Sequence, residues 1–256
     1  MVDGIELLRL ITEDVRWRLL GELSRSDRTV QELVDRVEEP QNLVSYHLGR
    51  LRKAGVVRER RSSADGRDVY YRLDLERFTA AVCRPASAIQ PSFAQLEPSR
   101  TAAGAAGPKR TVLFVCTGNS TRSQMAEAFM RRLSREVHAS SAGTKPRPVH
   151  PMTVRVLQEL GARSRGLRSK PVEQLSGRRF DYLVTLCDRA REVCRDDLVD
   201  AEEVLHWSIP DPASSKESED LRYQVFREVA LDISGRVRQL MARIRQERPA
   251  ATGDAA

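Results

Sequence analysis

Hydrophobic positions along the chain change their spacing as it proceeds, and the changes mark out its elements. From Ile5 to Leu23 apolar residues recur at helical intervals (Ile5, Leu8, Ile11, Val15, Leu19, Leu20, Leu23), which predicts one helix. Thr29 followed by Glu32 has the pattern of a capping box, so a second helix is predicted from there to Val37, stopped by Pro40. Val44, Leu48 and Leu51 line one face of a third helix, which Ala54-Gly55 ends. The period then drops to two: Val56–Arg60 and Val69–Leu73 alternate as strands around Ala64-Asp65-Gly66-Arg67. Three helices and a two-stranded wing predict a winged helix-turn-helix over residues 1–82.

From 83 to 109 the periodicity dissolves into Pro85, Pro91, Pro98, Gly104, Gly107, Pro108 and a run of Ala and Ser, the composition of a flexible linker. From Thr111 onward strand-like and helix-like segments alternate. Val112–Val115, His138–Ser141, Phe180–Leu186 and Glu203–Trp207 read as strands. The spacing of Met125, Ala128, Phe129 and Leu133, with Pro151–Leu160 and Asp220–Arg245, reads as helices. This alternation predicts an α/β fold, a doubly wound four-stranded parallel sheet over 110–247, with 248–256 as a disordered tail.

At 256 residues the chain is long enough for two domains, and its net charge of +7 permits an anionic partner without naming one. Cys83, Cys116, Cys187 and Cys194 are too few for a disulfide scaffold, and three of them fall in the predicted sheet domain, which points to thiol chemistry in a reducing compartment. No apolar run approaches the roughly 18 residues of a membrane span, and no signal-peptide pattern opens the chain, so a cytoplasmic protein without membrane association is expected. The histidines (His47, His138, His150, His206) show no metal-ligand spacing; neither a metal nor a bound cofactor is expected.

The outward face of the third helix carries Gln41, Asn42, Ser45, Tyr46 and Arg50, with His47 beside the apolar stripe. Basic residues gather there and in the wing: Arg50, Arg52, Lys53, Arg58, Arg60 and Arg61 are interrupted only by Glu59, and Arg67 lies in the wing turn. Such a cluster is the electrostatic footprint of a DNA-binding surface, for which Gln41, Asn42, Ser45, Tyr46, His47, Arg50, Arg52, Lys53 and Arg67 are the candidate contacts. The run Gln41-Asn42-Leu43-Val44-Ser45-Tyr46-His47-Leu48 followed by Leu51-Arg52-Lys53-Ala54-Gly55-Val56-Val57 resembles the winged-helix regulators of the ArsR type, over about Ile5 to Asp74. The resemblance implies a homodimer with its recognition helices one turn of DNA apart. One departure bears on sensing: arsenic-responsive members commonly read Glu-Leu-Cys-Val-Cys where this chain reads Glu32-Leu33-Val34-Asp35-Arg36, so the thiol pair is missing.

The densest chemistry is at Val112 to Glu127, reading VLFVCTGNSTRSQMAE. An apolar strand runs into Cys116, a loop of Thr117, Gly118, Asn119, Ser120 and Thr121 follows, and a helix opens with Arg122-Ser123. A loop of that length turns its N–H groups around a space the size of a tetrahedral oxyanion, with the positive end of the helix behind it. Thr117 to Arg122 are the candidate anion-binding residues, and Cys116 is a candidate nucleophile whose thiolate they would stabilise. Two further groups sit near strand ends: Cys187 with Cys194 seven positions on, and Asp211 between Pro210 and Pro212, placed as a general acid. A helix between the two cysteines would hold them too far apart for a disulfide, so bridging them requires that segment to loop out.

Cys-x5-Arg-Ser after a strand resembles the phosphate-binding loop of the low-molecular-weight protein tyrosine phosphatases and of the thioredoxin-coupled arsenate reductases built on the same fold. Arg122-Ser123-Gln124-Met125-Ala126-Glu127, Val184-Thr185-Leu186-Cys187 with Cys194, and His206-Trp207 with Asp211-Pro212-Ala213 are similar to the reductases, which carry the extra cysteine pair. Thr121 stands where many of them have a second loop cysteine. The resemblance implies that Cys116 attacks arsenate held by the loop and Arg122, that Asp211 protonates the leaving oxygen, and that Ser123 helps hold the thiolate. It further implies that Cys187 and then Cys194 carry the oxidation away as disulfides which thioredoxin reopens. The whole chain would then join a DNA-binding regulator to an arsenate reductase. The alternatives are a regulator whose second domain senses an oxyanion or redox state, and a tyrosine phosphatase carrying a DNA-binding domain.

Overall fold

The computed structural model of the chain describes residues 4–64, 66–90, 109–194, 199–215 and 217–247. It divides into two compact units, Met1–Gly104 and Ala105–Ala256. Residues 91–108 of the predicted linker, the predicted tail 248–256 and Asp65 of the wing turn lie outside the described residues.

The first unit is built from α1 (Gly4–Ile11), α2 (Asp14–Arg25), α3 (Val30–Val37), α4 (Gln41–Lys53), β1 (Val57–Arg61), β2 (Val69–Leu73) and α5 (Leu75–Ile89). The single helix predicted over Ile5–Leu23 is two: Glu13 is extended, and its carboxylate caps α2 by accepting from the Arg16 N–H at 3.1 Å. Ile11 and Val15 are buried on either side of this break, so the apolar spacing runs through it unchanged. The capping box forms as predicted, with Thr29 Oγ1 accepting from the Glu32 N–H and the Glu32 carboxylate accepting from the Thr29 N–H at 2.9 Å. Leu19, Leu33, Leu48, Leu51 and Val56 make the core, and β1 and β2 pair antiparallel as the wing, from Val57 opposite Leu73 to Arg61 opposite Val69.

α5 corrects the predicted start of the linker at residue 83. Asp74 caps it by accepting from the Arg77 N–H at 3.0 Å, and it continues through Pro85 to Ile89. A proline inside a helix costs roughly 3 kcal/mol. Here Ala81 is buried, and Phe78 and Val82 pack on the first unit's core, which offsets that loss.

The second unit has β3 (Arg110–Cys116), α6 (Arg122–Leu133), β4 (Val137–Gly143), α7 (Pro151–Glu159), β5 (Arg179–Thr185), α8 (Asp188–Val193), β6 (Asp200–His206) and α9 (Glu219–Gln246). The strands form a four-stranded parallel sheet in the order β4-β3-β5-β6. Val112 to Cys116 are all buried, as a central parallel strand covered on both faces requires. α6 packs with α7 and α9, while α8 lies on β3 and β5. Because all four strands run the same way, Cys116, Cys187 and the segment after His206 leave the sheet at one end, where open parallel sheets present their ligand sites.

Phe114 is among the largest fully buried side chains of this unit. Phe114→Ala is expected to cost about 3–5 kcal/mol, read as a lower denaturant midpoint for the unfolding of the second unit.

Candidate active site

A peptide plane holds its C=O and N–H on opposite sides, so the direction of a loop's carbonyls dictates that of its amides. Between β3 and α6 the carbonyls are claimed from outside, one after another. Cys116 O accepts from the Thr144 N–H, Thr117 O from Lys145, Gly118 O from Arg147, and Ser120 O from His150, at 2.8–3.2 Å. Side chains complete the set: Gln124 Nε2 donates to Asn119 O at 3.0 Å and Thr153 Oγ1 to Ser120 O at 3.1 Å. With these carbonyls turned outward, the N–H groups of Thr117 to Thr121 turn inward, in front of Cys116.

Asn119 makes the turn possible. Its φ of 44° lies in the left-handed region that asparagine tolerates. Its fully buried side chain ties the loop to its surroundings: Nδ2 donates to Ser123 Oγ at 2.9 Å and to Ser141 Oγ at 2.8 Å, and Oδ1 accepts from the Lys170 N–H at 2.9 Å. Because Ser123 Oγ already accepts from Asn119, its own proton is available to Cys116 Sγ, 3.0 Å away, where it stabilises a negative sulfur. Gly143 lets the loop approach β4: a Cβ there would lie 2.8 Å from Asn119 N and 2.9 Å from Thr117 O. Thr121 is buried, with its hydroxyl 3.2 Å from that of Thr153.

Arg122 is buried at the start of α6, donating to Ile209 O at 3.0 Å and pairing with Asp211 at 3.1 Å. Burial pulls its pKa down, but Cys187, Cys116, Asp211 and Asp188 together hold it above the usual value, so the guanidinium stays charged. Its Nε is buried with no protein acceptor among the described residues. A buried orphan donor beside a ring of inward amides is the chemistry of a site that takes an anion. Asp211 is half exposed and opens a short 3₁₀ turn, its Oδ1 accepting from the Ala213 N–H at 3.2 Å.

The loop also touches a second thiol. Cys187 is buried, with Sγ 3.3 Å from Thr117 Oγ1. Cys194 lies at the other end of α8, and all four cysteines are free. The segment between Cys187 and Cys194 is helical, the conformation that keeps the pair unbridged. Burial raises the Cys194 pKa to about 11, with help from Cys187 and Glu173, so that thiol is protonated at neutral pH. Cys116, Arg122, Ser123, Asp211 and Cys187 therefore come together, while Cys194 lies at the other end of α8, near enough to Cys187 to feel its charge.

Several residues that support this site were not singled out as functional from the sequence: Gln124, Ser141, Gly143, Thr153 and Lys170, and a buried cluster of Thr185, Asp188, His206 and Ser208 behind Cys187. Most of them are polar residues near a strand end or helix start; Gly143 and Lys170 carry no such signal.

In the first unit Gln41, Asn42, Ser45, Tyr46, Arg50, Arg52, Lys53 and Arg67 are exposed. His47 is the exception: it is buried, with Nδ1 3.4 Å from Glu13, and does not share the outward face. The basic cluster is also thinner than its composition suggests, since Arg52 pairs with Glu59 and Arg58 with Asp74.

A cysteine at a parallel-strand end, an anion-sized loop and an arginine at the following helix start define a thiol-dependent oxyanion enzyme fold. Residues 111–250 match the low-molecular-weight phosphotyrosine protein phosphatase family, and the chain belongs to that family. Residues 11–60 match a helix-turn-helix domain. Among its relatives is an arsenate reductase of Halalkalibacterium halodurans, 35% identical over 131 residues, which are 51% of this chain and 94% of the relative. An arsenate reductase of Shouchella clausii is 34% identical over 133 residues, with the same shares. A solved structure of an arsenate reductase in the phosphate binding state is 31% identical, covers 53% of this chain and 98% of its own, and superposes with a TM-score of 0.47.

Gly143→Ala is expected to push the loop off β4 and weaken binding of inorganic phosphate by about tenfold or more, measured by titration calorimetry.

Proposed function

We propose that the second unit is an arsenate reductase that works by a relay of three thiols, and that the first is a DNA-binding regulator of the ArsR type. The observation that carries the reductase reading is the placement of Cys187 against Thr117 of the Cys116 loop, with another thiol at the far end of α8. A phosphatase needs a nucleophile, an arginine and an acid; it has no use for this pair.

Arsenate, a tetrahedral dianion, binds to the inward amides and to Arg122. The Cys116 thiolate attacks arsenic, an As–O bond breaks, and Asp211 gives its proton to the departing oxygen, leaving a Cys116 S–As(V) adduct. The Cys187 thiolate then attacks Cys116 Sγ. The S–As bonding pair passes to arsenic, which leaves as As(III), arsenite, while the two sulfurs become the Cys116–Cys187 disulfide. Cys194 next attacks Cys187, freeing the Cys116 thiolate and forming Cys187–Cys194. A dithiol protein such as thioredoxin reduces that bond by exchange. No bound cofactor is required, because the electrons come from thiols.

One further feature favours a small inorganic dianion over an aryl phosphate. The segment that carries Asp211 to the pocket, 211–215, contains no Phe, Tyr or Trp to stack on a substrate ring. Lys145 and Arg147, both exposed, add charge that attracts anions of either kind. In the first unit, Gln41, Asn42, Ser45, Tyr46 and Arg50 present an exposed polar face on α4 for base edges and phosphates, supporting operator binding by a homodimer. Val34 and Arg36 stand where arsenic-responsive members carry their thiols, so any response to arsenite would need a different site.

The test is arsenate-dependent NADPH consumption with thioredoxin and thioredoxin reductase, run beside p-nitrophenyl phosphate hydrolysis, in wild type and Cys187→Ser. Arsenate turnover lost in Cys187→Ser is the expected result. Ester hydrolysis indifferent to Cys187 without arsenate turnover would make the unit a phosphatase, and silence in both assays would make it a sensor. For the first unit, Arg50→Ala is expected to weaken DNA binding across sequences and to reduce the slope of log affinity against log salt by about 1.

A further inference from the structure

Behind Cys187 lies a polar cluster to which the relay assigns no chemical step, although its Asp188 also helps keep Arg122 charged. Asp188, the first residue of α8, accepts from Ser208 Oγ at 2.7 Å, and its Oδ1 lies 3.1 Å from His206 Nε2. On the other side of the ring, His206 Nδ1 is 2.9 Å from Thr185 Oγ1. All four side chains are buried. Polar groups so deep in a unit are expensive to place unless each is partnered, and these partner one another across β5, β6 and α8.

Burial along α8 is one-sided. Cys187, Asp188 and Ala190 are buried, whereas Glu192 and Val193 are exposed and Cys194 is only partly covered. The helix is therefore held at its first residue and loosely packed at its last. It is also the segment that has to open if Cys187 and Cys194 are to bridge, since a helix keeps them apart.

We infer that Asp188, His206, Ser208 and Thr185 form a hinge anchor: they hold Cys187 beside the Cys116 loop while α8 unwinds from its Cys194 end. These are positioning residues, acting on the reaction through Cys187. The anchor keeps the effective concentration of the Cys187 sulfur at Cys116 high throughout, and assigns all of the movement to Cys194. As a step in the relay the inference rests on the reductase reading, but the anchoring itself is testable without arsenate.

The experiment uses the full chain in a Cys194→Ser background and diamide as oxidant, following formation of the Cys116–Cys187 disulfide by mass spectrometry. The sulfurs each give up one electron to the diazene bond of diamide, which takes up two protons. Asp188→Ala is expected to slow the bridge about tenfold by releasing Cys187; because Asp188 also helps keep Arg122 charged, the control falls on Ser208→Ala, in which carboxymethylation of Cys116 by iodoacetate stays within about twofold of its starting rate. His206→Gln, whose amide can serve both the Asp188 and Thr185 contacts, is expected to keep most of the rate. Ser208→Ala, a milder change, should fall between, and it serves if Asp188→Ala does not fold. Unchanged bridging in the Asp188 and Ser208 variants would overturn the inference. So would a loss in Ser208→Ala that runs in step with Cys116 carboxymethylation, which marks general damage. A wild type that bridges as expected with diamide yet does not reduce arsenate would sink the reductase reading and leave the anchor standing.

Discussion

The planar peptide is the constraint on which the second unit turns. A loop whose amides face a ligand must send its carbonyls the other way, and buried carbonyls need donors. Residues 144–153 supply them in sequence, so the stretch that follows β4 is as much a part of the site as the loop itself. The close approach this demands is allowed by the missing Cβ of Gly143, and the sharp turn by Asn119 in a left-handed conformation. Packing and chemistry meet in that asparagine: the amide that joins the loop to β4 also orients the Ser123 hydroxyl toward the Cys116 sulfur.

The thiols differ in burial as well as place. Cys116 and Cys187 are buried, Cys187 lies against the Thr117 hydroxyl, and both thiols influence Arg122. Cys194 is partly covered at the end of a six-residue helix, and burial keeps its thiol protonated. Unwinding the helix would bring Cys194 toward Cys187 and return it to water, lowering its pKa toward the ordinary thiol range. One local transition would therefore both deliver the third thiol and activate it, so the relay would be gated by α8.

What could be read from the sequence was mostly local. The Cys116 loop, its strand and its helix are contiguous, and the Thr29–Glu32 capping box spans a single turn, so neighbours in sequence largely decide both. Remote partners were invisible: nothing near Asn119 announces Ser141 or Lys170, and nothing near Asp188 announces Ser208. The break at Glu13 escaped because helical spacing continues across it, and α5 outran its proline because Phe78, Ala81 and Val82 pack it on the first unit's core. The expectation of His47 as a DNA contact runs against a signal that is there: Val44, His47, Leu48 and Leu51 make an unbroken i, i+3, i+4, i+7 stripe, and the structure buries all four.

The relay is the centre of the account, and its intermediates are covalent, so they can be caught. The decisive measurement is peptide mapping of disulfides after adding arsenate, without any external reductant, to the fully reduced chain and to its Cys194→Ser variant. A Cys187–Cys194 bridge in the first and a Cys116–Cys187 bridge in the second, each with arsenite released, is the predicted result. Arsenate that leaves every thiol free, or a Cys116–Cys194 bridge formed without Cys187, would contradict it.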